Sequence, residues 1–556
     1  MKSTSLIIFL SLLVSCGKSE QTPSTHEIKT SKIYGGDIVK SGQWPSVVAI
    51  AKLNSDGGLR ESFCTGTLID QSTVLTAAHC FSRNLSYYKR KAVITRDNVD
   101  AKDPRISKIK AIILHPKYQG KDSSYDFALV KVESAFEISA EKIIAPSKKK
   151  TFEARDVVRI VGFGKRENGE SGIKFEAGTV IREDQHVEFT AGGKGKDTCS
   201  GDSGGPVFQK NQKDIYEFVG VTSRTPDDAS VFCGDKTIYG KVSVAMKWVE
   251  AERLIAKAIE LSNEESIKLL EKSLQIYPRY FKAYLELGKV YLKFRNINKA
   301  SRNFLNASLI KADNIEALDN LAKIHAIQED KFSEITILSR LIVLSPNTTR
   351  YFERLVELGK KEKAEISRGI GRFQKGDLHL AKLDLLEYPN DSFATFTLAF
   401  LYLKIGEAEK ALQTLKSIKT NSIAAVNMKD KRGDTILLTA VFEGHLLIIK
   451  ELMRFSPNLS VRDGYGNSLT EAAWWSKKLD IIDFLISKGV PFEANNYFEQ
   501  FLSMISFENM EVVNFLLAKG IDTTLIGPEG ATAQILAKET QNQELIELIN
   551  SYTPKK

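Results

Sequence analysis

Long apolar segments and strong charge bias are both missing from this chain. Apart from the extreme N-terminus, no apolar run reaches the roughly 20 residues that a membrane-spanning helix needs, which excludes a polytopic membrane protein. The 78 Lys and Arg residues exceed the 69 Asp and Glu residues by only 9 over 556 positions, and no dense basic stripe is present. We therefore expect no nucleic-acid partner.

Metal and nucleotide motifs are missing as well. The sequence contains no His-Glu-x-x-His motif and no second cysteine pair suited to zinc. No glycine-rich phosphate loop stands between a strand and a helix. Five histidines besides His26 and His79 show no ligand spacing, and they are His115, His186, His325, His379 and His445. The sequence predicts neither a metal nor a cofactor.

Residues 1–16 have the pattern of an export signal. Lys2 precedes a short apolar run that ends in Leu-Val-Ser-Cys-Gly around Cys16. This ending resembles the cleavage box of bacterial lipoproteins, which implies that Cys16 is lipidated and becomes the mature N-terminus. The alternative is an ordinary secretory signal with an incidental cysteine. Both interpretations predict export, and the first predicts a lipid-anchored protein of the bacterial cell envelope, at the outer membrane.

Cysteine is scarce, and lipidation of Cys16 leaves an even number for the rest of the chain. The remaining four are Cys64, Cys80, Cys199 and Cys233. Export into an oxidising compartment favours disulfides. Four cysteines allow three pairings, and their spacing alone does not choose between them.

The length and the composition indicate several globular domains. Hydrophobic residues make up 42% and charged residues 26%, and 556 residues correspond to three or four domains of ~150 residues. Residues 17–32 are polar and lack apolar periodicity, which indicates a linker or propeptide. Residues 33–250 show short β-branched runs broken by Gly and Asp, which predict an all-β barrel or sandwich. The remaining chain has long amphipathic stretches and is predicted to be all-α.

The helical part has internal periods. In residues 251–425 small and aromatic residues recur at a 34-residue period that resembles tetratricopeptide repeats, with Gly288 and Ala300 at positions where helices approach closely. In residues 426–556 the period is 33 and resembles ankyrin repeats. An unspecific helical bundle is the alternative. Such solenoids bind proteins through a concave face, so we expect protein partners here.

Three short motifs follow one another in the β-rich segment. They are Thr-Ala-Ala-His-Cys with His79, Tyr-Asp-Phe-Ala-Leu-Val with Asp126, and Gly-Asp-Ser-Gly-Gly-Pro with Ser203. Each motif alone has an ordinary structural explanation. Together they supply the base, the orienting acid and the nucleophile of an acyl-transfer site, in that order. In these motifs residues 33–250 resemble the trypsin-like serine proteases, and the resemblance implies an all-β double barrel.

The resemblance also assigns roles to individual residues. It implies that Ser203 is the nucleophile, His79 the general base and Asp126 the acid that fixes the imidazole tautomer. The N–H groups of Gly201 and Ser203 are implied to form the oxyanion hole. It further implies two disulfides, Cys64–Cys80 beside the histidine and Cys199–Cys233 beside the serine.

The substrate pocket is implied by a second group of residues. Asp197, six residues before the nucleophile, occupies the place of a pocket-floor acid, which implies cleavage after Lys or Arg. Ser223, Thr225 and Thr237 are the other expected pocket residues, and threonines there would narrow the slot. Arg224 is expected either to bridge to Asp197 or to reshape the pocket rim.

The junction between Lys32 and Ile33 resembles the activation site of the family's zymogens. A cut there would free an α-amino group, which the resemblance pairs with Asp202. We therefore expect an exported serine endopeptidase that acts on proteins or peptides, and the cut would also release it to the periplasm or the outside. The competing expectation is a binding scaffold with a vestigial protease domain, since more than half of the chain is repeat.

Overall fold

A computed structural model describes residues 36–552 apart from several short gaps. The gaps are 56–58, 82–89, 100–104, 121–123, 166–170, 194, 227, 232, 420–421, 464–465 and 528–529. The predictions for Cys16, residues 17–32, Lys32 and Ile33 lie outside the described residues. The chain divides into two compact units between Ala283 and Tyr284, and each is described by itself.

The first unit begins with β1 (Asp37–Ile38) and a six-stranded antiparallel barrel. The barrel strands are β2 (Val47–Leu53), β3 (Leu59–Asp70), β4 (Thr73–Thr76), β5 (Lys91–Ile94), β6 (Ile106–Leu114) and β7 (Ala128–Val132). They close in the order β2-β3-β4-β7-β6-β5. Valines of the β-branched runs, including Val48, Val93 and Val130, belong to its buried core. Period-two alternation places such residues on the inner face of each strand.

A second closed barrel follows in the same unit. Its strands are β8 (Val157–Gly162), β9 (Phe175–Asp184), β10 (Glu188–Gly192), β11 (Pro206–Lys210), β12 (Tyr216–Arg224) and β13 (Lys236–Lys241). Hydrogen bonds run through β9-β10-β13-β12-β11-β8, and pairing of β8 with β9 closes the ring. Strand β1 adds to the outside of β9. The core contains Phe175, Phe189 and Tyr239, none more than 1% exposed.

Two helices complete the first unit. Helix α1 (Val242–Leu261) starts directly after the last barrel strand and ends where Ser262 adopts a left-handed conformation. Helix α2 (Glu264–Ile276) begins with a capping box in which Asn263 and Ser266 satisfy each other's backbone amides. Ser273 Oγ donates to the carbonyl of Ala251 over 3.2 Å, which ties the second helix to the first.

Helix α3 (Phe281–Lys293) crosses the division, and the second unit contains only helices among its described elements. The first of these are α4 (Ile297–Ile310), α5 (Ile315–Ile327), α6 (Lys331–Leu344), α7 (Thr349–Glu357), α8 (Lys361–Lys375), α9 (Leu378–Leu385), α10 (Ser392–Lys404) and α11 (Ala408–Ser417). Helices α3, α5 and α7 begin 34 residues apart. A Cβ at Gly288 would lie 2.6 Å from the ring of Phe304, so glycine allows the predicted close approach.

The C-terminal helices are shorter. They are α12 (Ile423–Val426), α13 (Ile436–Glu443), α14 (Leu446–Leu452), α15 (Leu469–Trp475), α16 (Leu479–Ser487), α17 (Phe498–Ser506), α18 (Met510–Ala518), α19 (Ala533–Glu539) and α20 (Gln543–Ser551). Helices α13 and α15 begin 33 residues apart, as do α14 and α16. No helix in the described ranges has the length and apolarity to cross a membrane.

The fold class predicted from the sequence is confirmed. Two closed barrels precede an all-α region of successive helix pairs. The assignment of these helices to tetratricopeptide and ankyrin repeats remains a prediction that the observed periods fit.

Candidate active site

His79 and Asp126 meet at one end of the first barrel. Strands β4 and β7 are antiparallel neighbours in which Thr76 faces Ala128, so the residues after β4 meet those before β7. His79 lies in a short 3-10 turn after β4, and its Nδ1 is 2.7 Å from Asp126 Oδ2. The backbone N–H of His79 also donates to Asp126 Oδ1 over 2.8 Å. These two contacts fix the imidazole plane relative to the carboxylate.

Asp126 is held ionised in a buried position. Its side chain is 1% exposed, and Ser223 Oγ donates to Asp126 Oδ2 over 2.7 Å. Burial alone would raise the pKa of Asp126, but the hydrogen bonds and charge of His79 and the hydroxyl of Ser223 outweigh it, and the pKa lies below its usual value. The sequence did not reveal this contact of Ser223, and its predicted place in the substrate pocket stays a prediction.

The Ser203 loop lies between the barrels. The N–H of Thr65 in the first barrel donates to the Ser203 carbonyl over 2.9 Å, and Thr65 Oγ1 donates to the Gly201 carbonyl over 2.9 Å. Gly204 has φ +82°, and a Cβ there would lie 2.4 Å from the Thr65 carbonyl. Only glycine fits this left-handed, closely packed position. The lack of a side chain at Gly204 lets the loop pack against the segment that leads to His79.

Two backbone amides of this loop point to no protein acceptor. Within the described ranges, the N–H groups of Gly201 and Ser203 make no hydrogen bond to another residue. The intervening amide of Asp202, by contrast, donates to the Cys199 carbonyl over 3.0 Å. Free donors on a rigid, partly buried loop are suited to binding an anionic oxygen.

Both disulfides implied by the family resemblance are present. Cys64 pairs with Cys80 and joins β3 to the turn of His79. Cys199 pairs with Cys233 and joins the Ser203 loop to the segment before β13. Cys64, Cys80 and His79 also form the cluster of possible metal ligands in the described part of the chain, but both sulfurs are bonded to each other and offer no thiolate.

Asp202 is buried beneath the Ser203 loop. Its carboxylate accepts hydrogen bonds from the N–H of Gly164 over 2.7 Å and from the N–H of Cys199 over 2.9 Å. Burial raises the pKa of Asp202 to about 7 despite these two donors, and the charge of Asp197 raises it further. The expected partner at Ile33 lies outside the described residues.

Asp197 lies at the bottom of a polar buried cluster. It is 0% exposed, its Oδ2 has no hydrogen-bond partner among the described residues, and its Oδ1 is 3.5 Å from the hydroxyl of Tyr239. Burial raises the pKa of Asp197 to about 6 against the opposing effect of nearby amides and hydroxyls. Thr237 lies in this cluster with its hydroxyl oxygen 2.9 Å from that of Thr198, and its role in a substrate pocket stays a prediction. Sequence reasoning missed Thr198 in the loop after β10 and Tyr239 in β13, since an isolated hydroxyl residue carries no distinctive pattern.

Arg224 is paired with a carboxylate that the sequence did not reveal as its partner. Its guanidinium makes a two-point contact with the carboxylate of Glu188, at 2.7 and 3.0 Å. Both side chains are largely buried, with 19% and 5% exposure. Arg224 also approaches Ser223 Oγ at 3.4 Å, and Thr225 follows it in the partly exposed segment after β12. The two roles expected for this arginine, a bridge to Asp197 and a change at the pocket rim, both stay predictions.

The barrels match a known protein family. Residues 33–249 match the family model for Trypsin. The venom peptide isomerase heavy chain of Agelenopsis aperta is 29% identical over 246 residues, which cover 39% of this chain and 98% of that protein. Transmembrane protease serine 11A of Homo sapiens is 27% identical over 267 residues, 44% of this chain and 59% of that protein. Chymotrypsin-like elastase family member 1 of Canis lupus familiaris is 26% identical over 265 residues, 43% of this chain and 97% of that protein. The family model and these relatives support a trypsin-like serine protease domain at residues 33–249, and the relatives indicate a serine peptidase.

Proposed function

We propose that this domain is a serine endopeptidase with Ser203 as nucleophile, His79 as general base and Asp126 as the orienting acid. The observation that carries the proposal is the pair of contacts from Asp126 to the ring and the backbone of His79. With Nδ1 turned to the acid, Nε2 is the nitrogen left to take the proton of the Ser203 hydroxyl. The family match of the surrounding domain supports the same assignment.

In the proposed reaction Ser203 Oγ attacks the carbonyl carbon of the scissile peptide while His79 takes its proton. The developing oxyanion accepts hydrogen bonds from the N–H groups of Gly201 and Ser203, which have no protein acceptor in the described part of the chain. Removing one such donor typically costs ~10²–10³ in rate. His79 then gives the proton to the leaving amine. Water next attacks the acyl carbon while His79 takes its proton, and His79 returns a proton to Ser203 Oγ as the carboxylic acid product leaves.

We propose that the pocket prefers Lys or Arg at the residue before the cut. The buried carboxylate of Asp197, with an oxygen unpartnered among the described residues, would gain most from a cationic side chain. Thr237, whose hydroxyl hydrogen-bonds to Asp197, would narrow the approach to this carboxylate. A preference for small aliphatic residues is the competing outcome, and Thr225 and Thr237 would then determine it.

The proposed activity is tested with full-length protein and its Ser203→Ala and His79→Ala variants on a peptide library. Both variants are expected to lose hydrolysis by at least about 10³-fold while their thermal unfolding stays close to that of the wild type. The reason is that neither side chain fills the core. The matched control is Ser230→Ala, which removes a surface hydroxyl bound to Asp235. Wild-type turnover in either catalytic variant would refute the assignment, and an inactive wild type would favour the scaffold alternative.

Activation and location form a separate proposal. A cut between Lys32 and Ile33 would create an ammonium group able to neutralise the buried carboxylate of Asp202, whose pKa burial raises to about 7. If Cys16 carries the lipid, no upstream cysteine remains to hold residues 17–32 to the protease by a disulfide. One cut would then both activate the enzyme and release it from its membrane anchor.

Cell fractionation tests the activation proposal. Membrane and soluble pools from cells that express wild type or Ser203→Ala are separated, and their N-termini are sequenced. We expect the active soluble pool to begin at Ile33, and we expect Ser203→Ala to stay anchored if a Lys-preferring enzyme cuts itself. Fully active protein that is still lipidated and uncut at Lys32 would refute the proposal.

The second unit is proposed to recruit protein partners. A groove of about 510 Å³ lies on helices α13 and α15, with Phe442 61% exposed beside Arg432 and Glu443. Mixed charge around an exposed aromatic ring is typical of a protein-binding surface. Full-length Ser203→Ala bait is compared with the same bait carrying Phe442→Glu. Loss of bound proteins only in the second bait supports the groove, and identical sets contradict it.

A further inference from the structure

His115 lies in a cluster of aromatic rings beside the catalytic acid. It is 2% exposed, and its neighbours within 6 Å between ring centroids are Tyr125, Phe127, Trp248 and Tyr277. The cluster therefore joins the segment that leads to Asp126 with two helices that follow the barrels. Tyr277 lies beyond residues 33–249, the range that the family model matches.

Tyr125, which directly precedes Asp126, has a strained backbone. Its φ is +63°, a left-handed conformation that non-glycine residues rarely adopt. Its ring stacks on His115 with centroids 5.0 Å apart and planes 13° from parallel. The N–H of Phe127 donates to the Tyr125 carbonyl over 2.7 Å, which forms a tight turn with Asp126 at its centre. A conformation of this kind persists only where its surroundings hold it.

The other side of His115 is covered by the helices. Trp248 of α1 is 0% exposed and meets the imidazole edge to face at 4.9 Å. Tyr277, at the C-terminus of α2, is perpendicular to the imidazole at 5.9 Å, and its hydroxyl is 3.5 Å from His115 Nε2. Stacking and edge contacts of this type are specific in geometry as well as apolar.

Polar contacts fix α1 to the segment that follows α2 and also to the first barrel. Trp248 Nε1 donates to the hydroxyl of Tyr280 over 3.2 Å, and that hydroxyl donates to the buried Glu252. Lys282 Nζ is 2.6 Å from Glu252, while Arg253 donates to the Ile69 carbonyl of the first barrel over 3.3 Å. All of these residues precede the division at Ala283, so they belong to the same compact unit as the barrels.

His115 is a neutral ring in this cluster. The N–H of Lys117 donates to His115 Nδ1 over 3.2 Å, so that nitrogen accepts and the proton resides on Nε2, toward Tyr277. Burial lowers the pKa of His115 to about 3, and Lys117 lowers it further. The ring thus keeps one tautomer and serves as a constant surface for stacking.

We propose that Tyr277 is a positioning residue of the proposed peptidase, which holds His115 and through it the strained Tyr125 so that Asp126 faces His79. The inference rests on the proposed function, because the acid matters only if the site is catalytic. It also means that the functional protease extends beyond residue 250, through α2 to Ala283. Tyr277 acts through other residues and touches no reacting atom.

The first experiment compares variants of the full-length chain. Tyr277→Ala is expected to lower kcat by about 10- to 100-fold with KM within about twofold, because the acid is displaced while the substrate pocket is intact. Tyr277→Phe keeps the ring and is expected to retain most of the activity. Tyr402→Ala in α10 removes another partly buried tyrosine and is expected to behave as wild type. Wild-type kcat in Tyr277→Ala would overturn the proposal.

The second experiment separates positioning from simple packing. Glycine adopts φ +63° without strain, so Tyr125→Gly is expected to make activity nearly independent of Tyr277. In that background Tyr277→Ala is expected to change kcat by less than about threefold, which is a strong departure from additivity. An equal loss in both backgrounds would show a packing role only and overturn the inference.

Folding is checked for each variant by thermal unfolding. If Tyr277→Ala does not fold, Tyr277→Leu replaces it, because leucine keeps much of the apolar volume but has no aromatic ring. Its kcat is then compared with that of the wild type in the same way. Failure of the proposed function is a different result, since the wild type would then show no hydrolysis that depends on Ser203. Failure of the inference leaves the wild type active and Tyr277 dispensable.

Discussion

Ser223 Oγ and His79 Nδ1 share one oxygen of Asp126, each at 2.7 Å. Ser223 belongs to β12 of the second barrel, while His79 follows β4 of the first. Asp126 is thus held from both barrels, and a shift between them would move the acid relative to the imidazole. The relative position of the barrels is therefore part of the geometry of the site.

Ser223→Ala removes the donor from the second barrel. A hydrogen bond to a buried charge is worth about 1.5–3 kcal/mol, so we expect kcat to fall by roughly 10- to 100-fold with little change in KM. Steady-state kinetics with active-site titration measure this effect. Ser230→Ala, at an exposed Ser–Asp contact, is the control and is expected to have wild-type kcat. Unchanged kcat in Ser223→Ala would mean that His79 alone orients the acid.

The preference for basic substrates is expected to depend on pH through Asp197. The pKa of this carboxyl is raised to about 6 by burial, so the ionised form that attracts a cation is lost as the pH falls below 6. The ratio of kcat/KM for an Arg substrate to that for a Leu substrate is expected to rise from pH 5 to pH 7. Titration of groups common to both substrates cancels in this ratio. Asp197→Ser is expected to lower the ratio by about 10²-fold and to make it independent of pH.

The Arg224–Glu188 pair is predicted to be sensitive to the loss of one partner. Glu188→Met leaves a largely buried guanidinium without its carboxylate, and we expect a loss of about 3 kcal/mol in the free energy of unfolding. The double variant Glu188→Met/Arg224→Met removes both charges and is expected to recover most of the lost free energy of unfolding. Chemical denaturation measures both values. The exposed pair Lys52–Glu61 provides the control, since Glu61→Gln is expected to cost less than about 1 kcal/mol.

Stability of the uncut protein is expected to fall as the pH rises through the range set by Asp202. Its folded-state pKa of about 7 exceeds the unfolded value near 4, so the folded state holds the extra proton between these limits. The free energy of unfolding is therefore expected to decrease by roughly 4 kcal/mol from pH 4 to pH 7. Unfolding of uncut Ser203→Ala is compared with Ser203→Ala/Asp202→Asn over this range. The prediction would be contradicted if the stability of these two variants changed with pH in the same way. Cut protein is expected to lose no stability over this range.

The sequence by itself determined the fold class, whereas both disulfide pairs were implied only by the resemblance to a known family. Period-two runs of β-branched residues specify strands with one buried face, and a change to helical periodicity marks the end of the barrels, because side-chain direction follows local backbone geometry. His79, Asp126 and Ser203 were found because each lies in a short continuous motif. Tyr277 lies in the segment that the sequence assigned to helical repeats, and no local motif connects it to Asp126.

Only the tertiary structure decided the contacts between residues that are distant in the chain. Glu188 meets Arg224 across 36 positions, and Tyr277 meets His115 across 162. The sequence did not reveal that Ser223 donates to Asp126, since one strand presents neighbouring residues to opposite faces and sequence does not say what each face meets. Burial likewise depends on the assembled barrels, and it is burial that raises the pKa values of Asp197 and Asp202. Local patterns fix the elements, whereas partners and dielectric environment arise from how those elements pack.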